Sequence, residues 1–173
     1  MTDRIAIVTG ASGGIGHAVA VRLAQAGMAV AVHYSGNRDR AQAVADEITT
    51  AGRRAMVVGA DVADEAQVTA LFDQVEAEFG GVDVVVNTAG IMLLSPLAEL
   101  NLDDFDRMHR TNVRGTFVVS QQAARRVRNG GAIVNFSTSV TKLAAPGYSA
   151  YAATKGAVDA MTLIWPRRCA AAM

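Results

Sequence analysis

Short runs of β-branched and aliphatic residues alternate along this chain with longer stretches in which apolar positions recur at helical spacing. The short runs are Arg4 to Thr9, Met28 to Tyr34, Arg53 to Gly59, Val82 to Asn87 and Ala132 to Ser137. Each is apolar at odd and even positions alike, as strands covered on both faces require. The longer stretches predict helices over 15–25, 38–50, 64–79, 102–128 with a break near Thr111, and 149–165. Asn37 stands where a cap for the second helix belongs, and Gly27, Gly52 and Gly80 follow three others. Asn129-Gly130-Gly131 closes the long helix. This βαβ rhythm predicts an α/β fold, a doubly wound parallel sheet between two layers of helices. Ligands of such sheets bind at the carboxyl ends of the strands, where the strand order reverses. No repeat, low-complexity tract or linker interrupts the pattern, so 1–173 reads as a single domain.

Composition narrows the picture. Half the residues are apolar (51%) but only 5% are aromatic, which suits an aliphatic core of helices on a sheet. Sixteen basic residues balance sixteen acidic ones, which removes the electrostatic footprint of a nucleic-acid or anionic-lipid binder. Cys169 is a lone cysteine and the three histidines are scattered, so neither a disulfide nor a metal site is expected. The apolar run after Asp3 and Arg4 is too brief for a signal segment, and no stretch is long enough to span a membrane. The expectation is a cytoplasmic, soluble protein with no membrane partner.

Three segments carry candidate chemistry. The first loop reads Thr9-Gly10-Ala11-Ser12-Gly13-Gly14-Ile15-Gly16, between a strand and a helix. Glycines here let the backbone approach a pyrophosphate whose charge the helix N-terminus stabilises; the alternative is a turn needed only for tight strand-to-helix packing. The second strand ends His33-Tyr34-Ser35-Gly36-Asn37-Arg38, without the acidic residue that bonds both ribose hydroxyls of NAD. That favours NADP, whose 2′-phosphate Ser35, Asn37 and Arg38 suit by charge-assisted hydrogen bonds, unless Arg38 is an ordinary solvated helix residue. Asp61 is either an acceptor for an adenine amino group or a capping residue of a turn. Asn87-Thr88-Ala89-Gly90 ends the fourth strand with small residues, as a ribose and nicotinamide lying close to backbone require. Finally, Tyr151-Ala152-Ala153-Thr154-Lys155 places a phenol and an ammonium one helical turn apart, and Lys155 is one of only two lysines, with Lys142. A nearby positive charge lowers a phenol's pKa from about 10 toward working pH and makes it a usable general acid and base.

In this order, Thr-Gly-x-x-x-Gly-Ile-Gly, Asp61-Val62, Asn87-x-Ala89-Gly90, a mid-helix Asn112, a serine-rich strand end and Tyr-x-x-x-Lys, the chain resembles the short-chain dehydrogenase/reductases over residues 4 to about 164. The resemblance implies a Rossmann-like fold and a hydride transfer between a nicotinamide cofactor and a carbonyl or secondary alcohol. Carried over, Tyr151 is the catalytic acid and base. Lys155 binds the nicotinamide ribose and lowers the tyrosine's pKa, and Asn112 holds a water for a proton relay. A hydroxyl that donates to the substrate oxygen falls on Ser139, with Thr138 as the second choice. Gly10, Ser12, Gly13, Gly14, Ile15, Gly16, Tyr34, Ser35, Asn37, Arg38, Asp61, Val62, Asn87, Ala89, Gly90, Tyr151 and Lys155 are the cofactor residues. NADP is expected ahead of NAD, and a homo-oligomer is expected through the two long helices.

Members of that family run on through two more strands and a loop over the substrate. Here Pro166 interrupts the last helix, so the expectation is a C-terminally truncated member in which the fifth strand's edge is open. Read back through the genetic code with one base restored, Trp165 to Ala172 becomes Leu-Ala-Lys-Glu-Met-Arg-Gly-Arg, which would continue an amphipathic helix. An oxidoreductase and a catalytically silent dinucleotide-binding fragment both fit these residues. Nothing in them names a substrate.

Overall fold

The computed structural model describes residues 4–164; the expectations about Cys169 and the 165–172 segment lie outside the described residues. Five strands form one parallel sheet: β1 (Ile5–Thr9), β2 (Ala29–Tyr34), β3 (Ala55–Gly59), β4 (Val82–Asn87) and β5 (Val127–Asn135), in the order β3-β2-β1-β4-β5. The order turns back at β1, so a crevice opens between the carboxyl ends of β1 and β4. Register brings Val8 beside Val32 on one side and beside Val86 on the other.

Alternation along each strand feeds two cores. Ile5, Ile7, Ala29, Ala31 and Val85 face α3 (Glu65–Phe79) and α5 (Thr116–Arg126), which contribute Val68, Leu71, Phe72, Val118 and Val119. Ala6, Val8, Val30, Val32 and Val86 face α1 (Gly14–Gln25) and α2 (Arg38–Thr50), which contribute Ala20, Ala24, Val44 and Ile48. Burial on both faces is what made these runs apolar throughout. The doubly wound α/β sheet expected from the sequence is the one observed.

Two elements differ from the sequence reading. The long helix ends at Arg126 rather than Arg128, because Val127 turns to extended backbone and pairs with Val82. Asn129-Gly130-Gly131 is therefore part of β5 and not a loop before it. Between the Val82–Val127 and Val84–Ala132 pairs the strand bulges, with Gly130 at φ 79° and Gly131 against the Asp83 carbonyl. β5 also stops at Asn135, two residues short of Ser137.

The break near Thr111 is a π-helical turn, His109–Gly115, between α4 (Leu102–Met108) and α5. Two contacts hold it. Gly115 lies so close to Val62 that a Cβ would come within 2.6 Å of the valine's Cγ2. Asn112, fully buried within the turn, bonds the main chain of Ile91 across the crevice. The last helix, α6 (Ser149–Ile164), packs against the π-helical turn and against a 3-10 turn at Ser139–Lys142.

Candidate active site

The crevice at the switch point is a cleft of about 660 Å³ lined by Gly10, Ser12, Gly13, Ile15 and Gly16 from the first turn and by Thr88, Ala89, Gly90 and Ile91 after β4. Asp61, Val62, His33, Ser35, Gly36 and Arg40 form its far end, and Arg107, Arg110 and Thr111 its outer wall. A smaller cavity of about 130 Å³ adjoins it, lined by Phe136, Ser137, Tyr151 and Lys155. Ile15, Thr88, Gly90 and Ile91 line both, so the two lie side by side along a shared wall. Ile15 is 61% exposed, an apolar side chain held open to the cleft.

The glycine turn fits an anionic ligand. α2, α3 and α4 are each capped by a side chain, from Asn37, Asp64 and Asn101. α1 begins after Gly13 with no side-chain cap, so its first N–H groups face the cleft without one. A Cβ at Gly13 or Gly14 would meet nothing within 4 Å, which leaves the space beside them for a ligand. Gly10 instead is needed for close approach: it sits at φ 67°, and a Cβ there would lie 2.8 Å from Ala89 Cα. Thr88 Oγ1 donates to the Thr9 carbonyl and Thr9 Oγ1 accepts from Ala89 N–H at 3.2 Å, which closes the β1 and β4 ends together. A dinucleotide phosphate is thus a group these residues can hold.

Five of the expected cofactor residues, Gly14, Tyr34, Asn37, Arg38 and Asn87, are not in the cleft lining. Tyr34 turns its ring onto Gly59, where a Cβ would come within 2.8 Å of its Cζ. Asn37 spends its Oδ1 on the Arg40 N–H at 2.9 Å. That cap starts α2 so that Arg40, and not Arg38, lines the cleft beside Ser35. Asn87 is buried in a polar network: its Nδ2 donates to Ser120 Oγ at 3.1 Å and to Asn135 Oδ1 at 2.8 Å, and Asn135 Nδ2 reaches Thr162 Oγ1. It joins β4 to α5 and β5. Asp61 lines the cleft, but its two carboxylate oxygens accept from Ala63 N–H at 2.9 Å and from Arg110 Nη1 at 2.6 Å. Its Oδ1 caps the turn, one of the two readings of that residue.

In the smaller cavity, Lys155 is almost fully buried and its Nζ donates to the Phe136 carbonyl at 2.7 Å, 5.9 Å from the Tyr151 ring centre. Burial pulls the ammonium's pKa below its usual value, with Asp159 acting against that. Tyr151 departs from the sequence expectation: burial, and secondarily Tyr148, push its phenol up and not down. The ammonium is engaged by Phe136, so in the chain alone it does not offset the burial.

Asn112 presents no free amide. Its Oδ1 accepts from Ile91 N–H, and its Nδ2 donates to the Ile91 carbonyl, both at 2.8 Å, and to Thr154 Oγ1 at 3.1 Å. Thr154 in turn donates to the Tyr151 carbonyl at 2.7 Å, so the network reaches α6 at the tyrosine. Of the hydroxyls near the end of β5, Ser137 lines the small cavity and Ser139 does not. Thr138 caps the 3-10 turn, accepting from Val140 N–H at 3.4 Å, and Ser139 makes no side-chain hydrogen bond among the described residues. His33, Arg40, Arg107, Arg110 and Ser137 were not anticipated; their side chains reach the site from strand or helix positions that look ordinary in sequence.

No helix among the described residues is long and apolar enough to cross a membrane, and no group of three metal-ligating side chains occurs among them.

Comparison with known proteins agrees with this geometry. The family model for short chain dehydrogenases matches residues 4–171. A short-chain type dehydrogenase/reductase of Picea abies is 43% identical over 171 residues, 93% of this chain and 63% of that protein. The versicolorin reductase stcU of Emericella nidulans is 40% identical over 160 residues, 92% of this chain and 61% of that protein. A short chain dehydrogenase from Burkholderia cenocepacia, solved in complex with NADP, superposes with a TM-score of 0.88 at 44% identity, covering 94% of this chain and 66% of that one. The chain spans a little under two thirds of the length of the curated relatives it matches. Fold, motif order and similarity coincide: this chain belongs to the short chain dehydrogenase family.

Proposed function

We propose that the chain forms the cofactor-binding and proton-transfer part of an NADP-dependent oxidoreductase acting on a carbonyl or secondary alcohol. One observation carries this reading: the uncapped glycine turn and the Tyr151–Lys155 pair line two adjoining cavities that share Ile15, Thr88, Gly90 and Ile91. When bound, the nicotinamide supplies or takes up the hydride.

Gly10, Ser12, Gly13, Gly14, Ile15 and Gly16 hold the pyrophosphate, while Val62, Ala89 and Gly90 line the path of the adenosine and ribose. Ser35 and Arg40 meet the 2′-phosphate, which supports NADP over NAD because β2 ends without a carboxylate. The B. cenocepacia relative, solved in complex with NADP, supports the same choice. Tyr151 gives a proton to the carbonyl oxygen in reduction and takes it back in oxidation; its raised pKa keeps it protonated, and so an acid, in the free chain. Lys155 lies at the nicotinamide ribose. Asn112 fixes Ile91 and α6, so a relay water held there uses the residue's main-chain carbonyl and not its amide. Ser139 is the donor to the substrate oxygen, with Thr138 second and the cavity-lining Ser137 third; single alanine substitutions separate them.

The test is NADPH oxidation with a panel of ketones and diketones. Turnover that disappears in Tyr151→Phe supports the reading. Because the chain spans under two thirds of its relatives' length, a second reading stands: a dinucleotide-binding module without turnover, shown by saturable NADPH binding and no reaction with any carbonyl. A second copy of the chain docks along α5 and α6, where a groove of about 440 Å³ is lined by His109, Val113, Phe117, Val118 and Met161. Light scattering on the purified chain tests that contact.

A further inference from the structure

His33 is a buried titratable side chain that the reaction does not use. It is the penultimate residue of β2, is 1% exposed, and its ring touches two separate loops of the cleft. Nδ1 accepts from Gly10 N–H at 3.0 Å and Nε2 faces the Ala60 carbonyl at 3.0 Å. Since Nδ1 must be the acceptor, the proton sits on Nε2 and the tautomer is set by its partners. The His33 carbonyl also accepts from Ala11 N–H at 2.9 Å. One residue therefore spans from the phosphate-facing turn after β1 to the loop after β3 that carries Asp61, and it lines the cleft between them.

We propose that His33 is a positioning residue for the dinucleotide, its neutral ring fixing the separation between the glycine turn and the Ala60–Asp61 loop and hence between the phosphate and adenine subsites. The inference rests on the nucleotide-binding reading above. No other side chain bonds both loops among the described residues. If the ring is lost, Gly10 N–H and the Ala60 carbonyl lose their partners, and the two loops are left tied to β2 by the main-chain bonds of Ala11 N–H to His33 and Ala60 N–H to Tyr34 alone, so their separation is no longer fixed by a side chain. The ring is also well suited to stay neutral. Burial lowers its pKa from 6.5 to about 4, with the Ala60 carbonyl and Asp61 acting against burial, while Arg40, Arg107 and Arg110 line the same cleft. Near neutral pH, Nδ1 keeps its lone pair for Gly10.

The experiment is calorimetric titration of the full chain with NADP⁺ and with adenosine 2′,5′-bisphosphate at neutral pH, well below the melting temperature of every variant. In His33→Leu, which removes both bonds, both ligands weaken by about tenfold or more. In His33→Asn, whose short carboxamide meets at most one of the two loops, both ligands also weaken, and the melting temperature is lowered as well. A merely structural histidine would lower the melting temperature in both variants and leave the affinity of the folded protein unchanged; that result overturns the proposal. Should His33→Leu not fold, His33→Gln replaces it: a single amide in place of the ring leaves at least one loop unbonded, so NADP⁺ must bind more weakly than to the parent, and parental affinity overturns the idea. If the parent chain itself binds neither ligand, the nucleotide reading fails first and this inference with it.

Discussion

The ammonium of Lys155 donates to the main-chain carbonyl of Phe136 at 2.7 Å, tying the middle of α6 to the residue that follows β5. Replacing the lysine leaves that carbonyl unpaired in a half-buried site, so Lys155→Met costs about 1–2 kcal/mol of stability as well as turnover. Urea denaturation reads the first and NADPH oxidation the second. A variant that loses turnover with unchanged stability would show that the bond to Phe136 contributes nothing.

Tyr151 is held in its acid form. Burial and Tyr148 raise its pKa, so in the free chain its phenolate forms only above the ordinary value of about 10. Ultraviolet titration of the parent against Tyr151→Phe isolates that step. A difference spectrum with a midpoint below 10 would contradict the geometry described.

Asn112 holds three atoms of its surroundings at once. Asn112→Ala strands the Ile91 N–H and carbonyl and removes the donor to the Thr154 hydroxyl, which keeps its bond to Tyr151, and is expected to lower stability by about 2–4 kcal/mol. Chemical denaturation checks this. Asn112→Asp keeps the acceptor but loses the donor and buries a charge, so it fares no better than alanine.

Two glycines separate architecture from binding. Gly10→Ala forces a Cβ onto Ala89 backbone at a left-handed φ and costs about 1–3 kcal/mol. Gly13→Ala, in extended backbone with open space, leaves the melting temperature nearly unchanged while its methyl intrudes on the phosphate position. Cofactor titration of both shows lost affinity in each and lost stability only in the first.

His33 makes the fold acid-sensitive. Its folded pKa, about 4, lies below the 6.5 of the unfolded chain, so the unfolded state takes up the extra proton first as pH falls. The stability associated with the neutral ring is complete above 6.5 and declines through the window down to about 4, by about 3 kcal/mol in all. Denaturation midpoints across that range in the parent fall more steeply than in His33→Gln, which has no such group to titrate.

The sheet was legible in the chain because parallel strands buried on both faces must be apolar at every position, and Ile5 to Thr9 or Val82 to Asn87 can be read no other way. The glycine turn and the Tyr151–Lys155 spacing were legible for the same reason: helix periodicity and uncapped N–H groups are local properties. What stayed hidden depends on contacts between residues far apart. Asn129-Gly130-Gly131 looks like a helix stop, yet Val127 finds Val82 and draws the glycines into β5. Arg40 rather than Arg38 reaches the cleft because Asn37 caps α2, and Asn87 faces Ser120 and Asn135 because a polar side chain at a buried strand end must find partners. The histidine clamp between two loops exists only once β1, β2 and β3 lie side by side, and the phenol's surroundings only once α6 packs beside the end of β5. Periodicity and turn chemistry are written residue by residue; desolvation and long-range hydrogen bonds are decided by which surfaces the folded chain brings together.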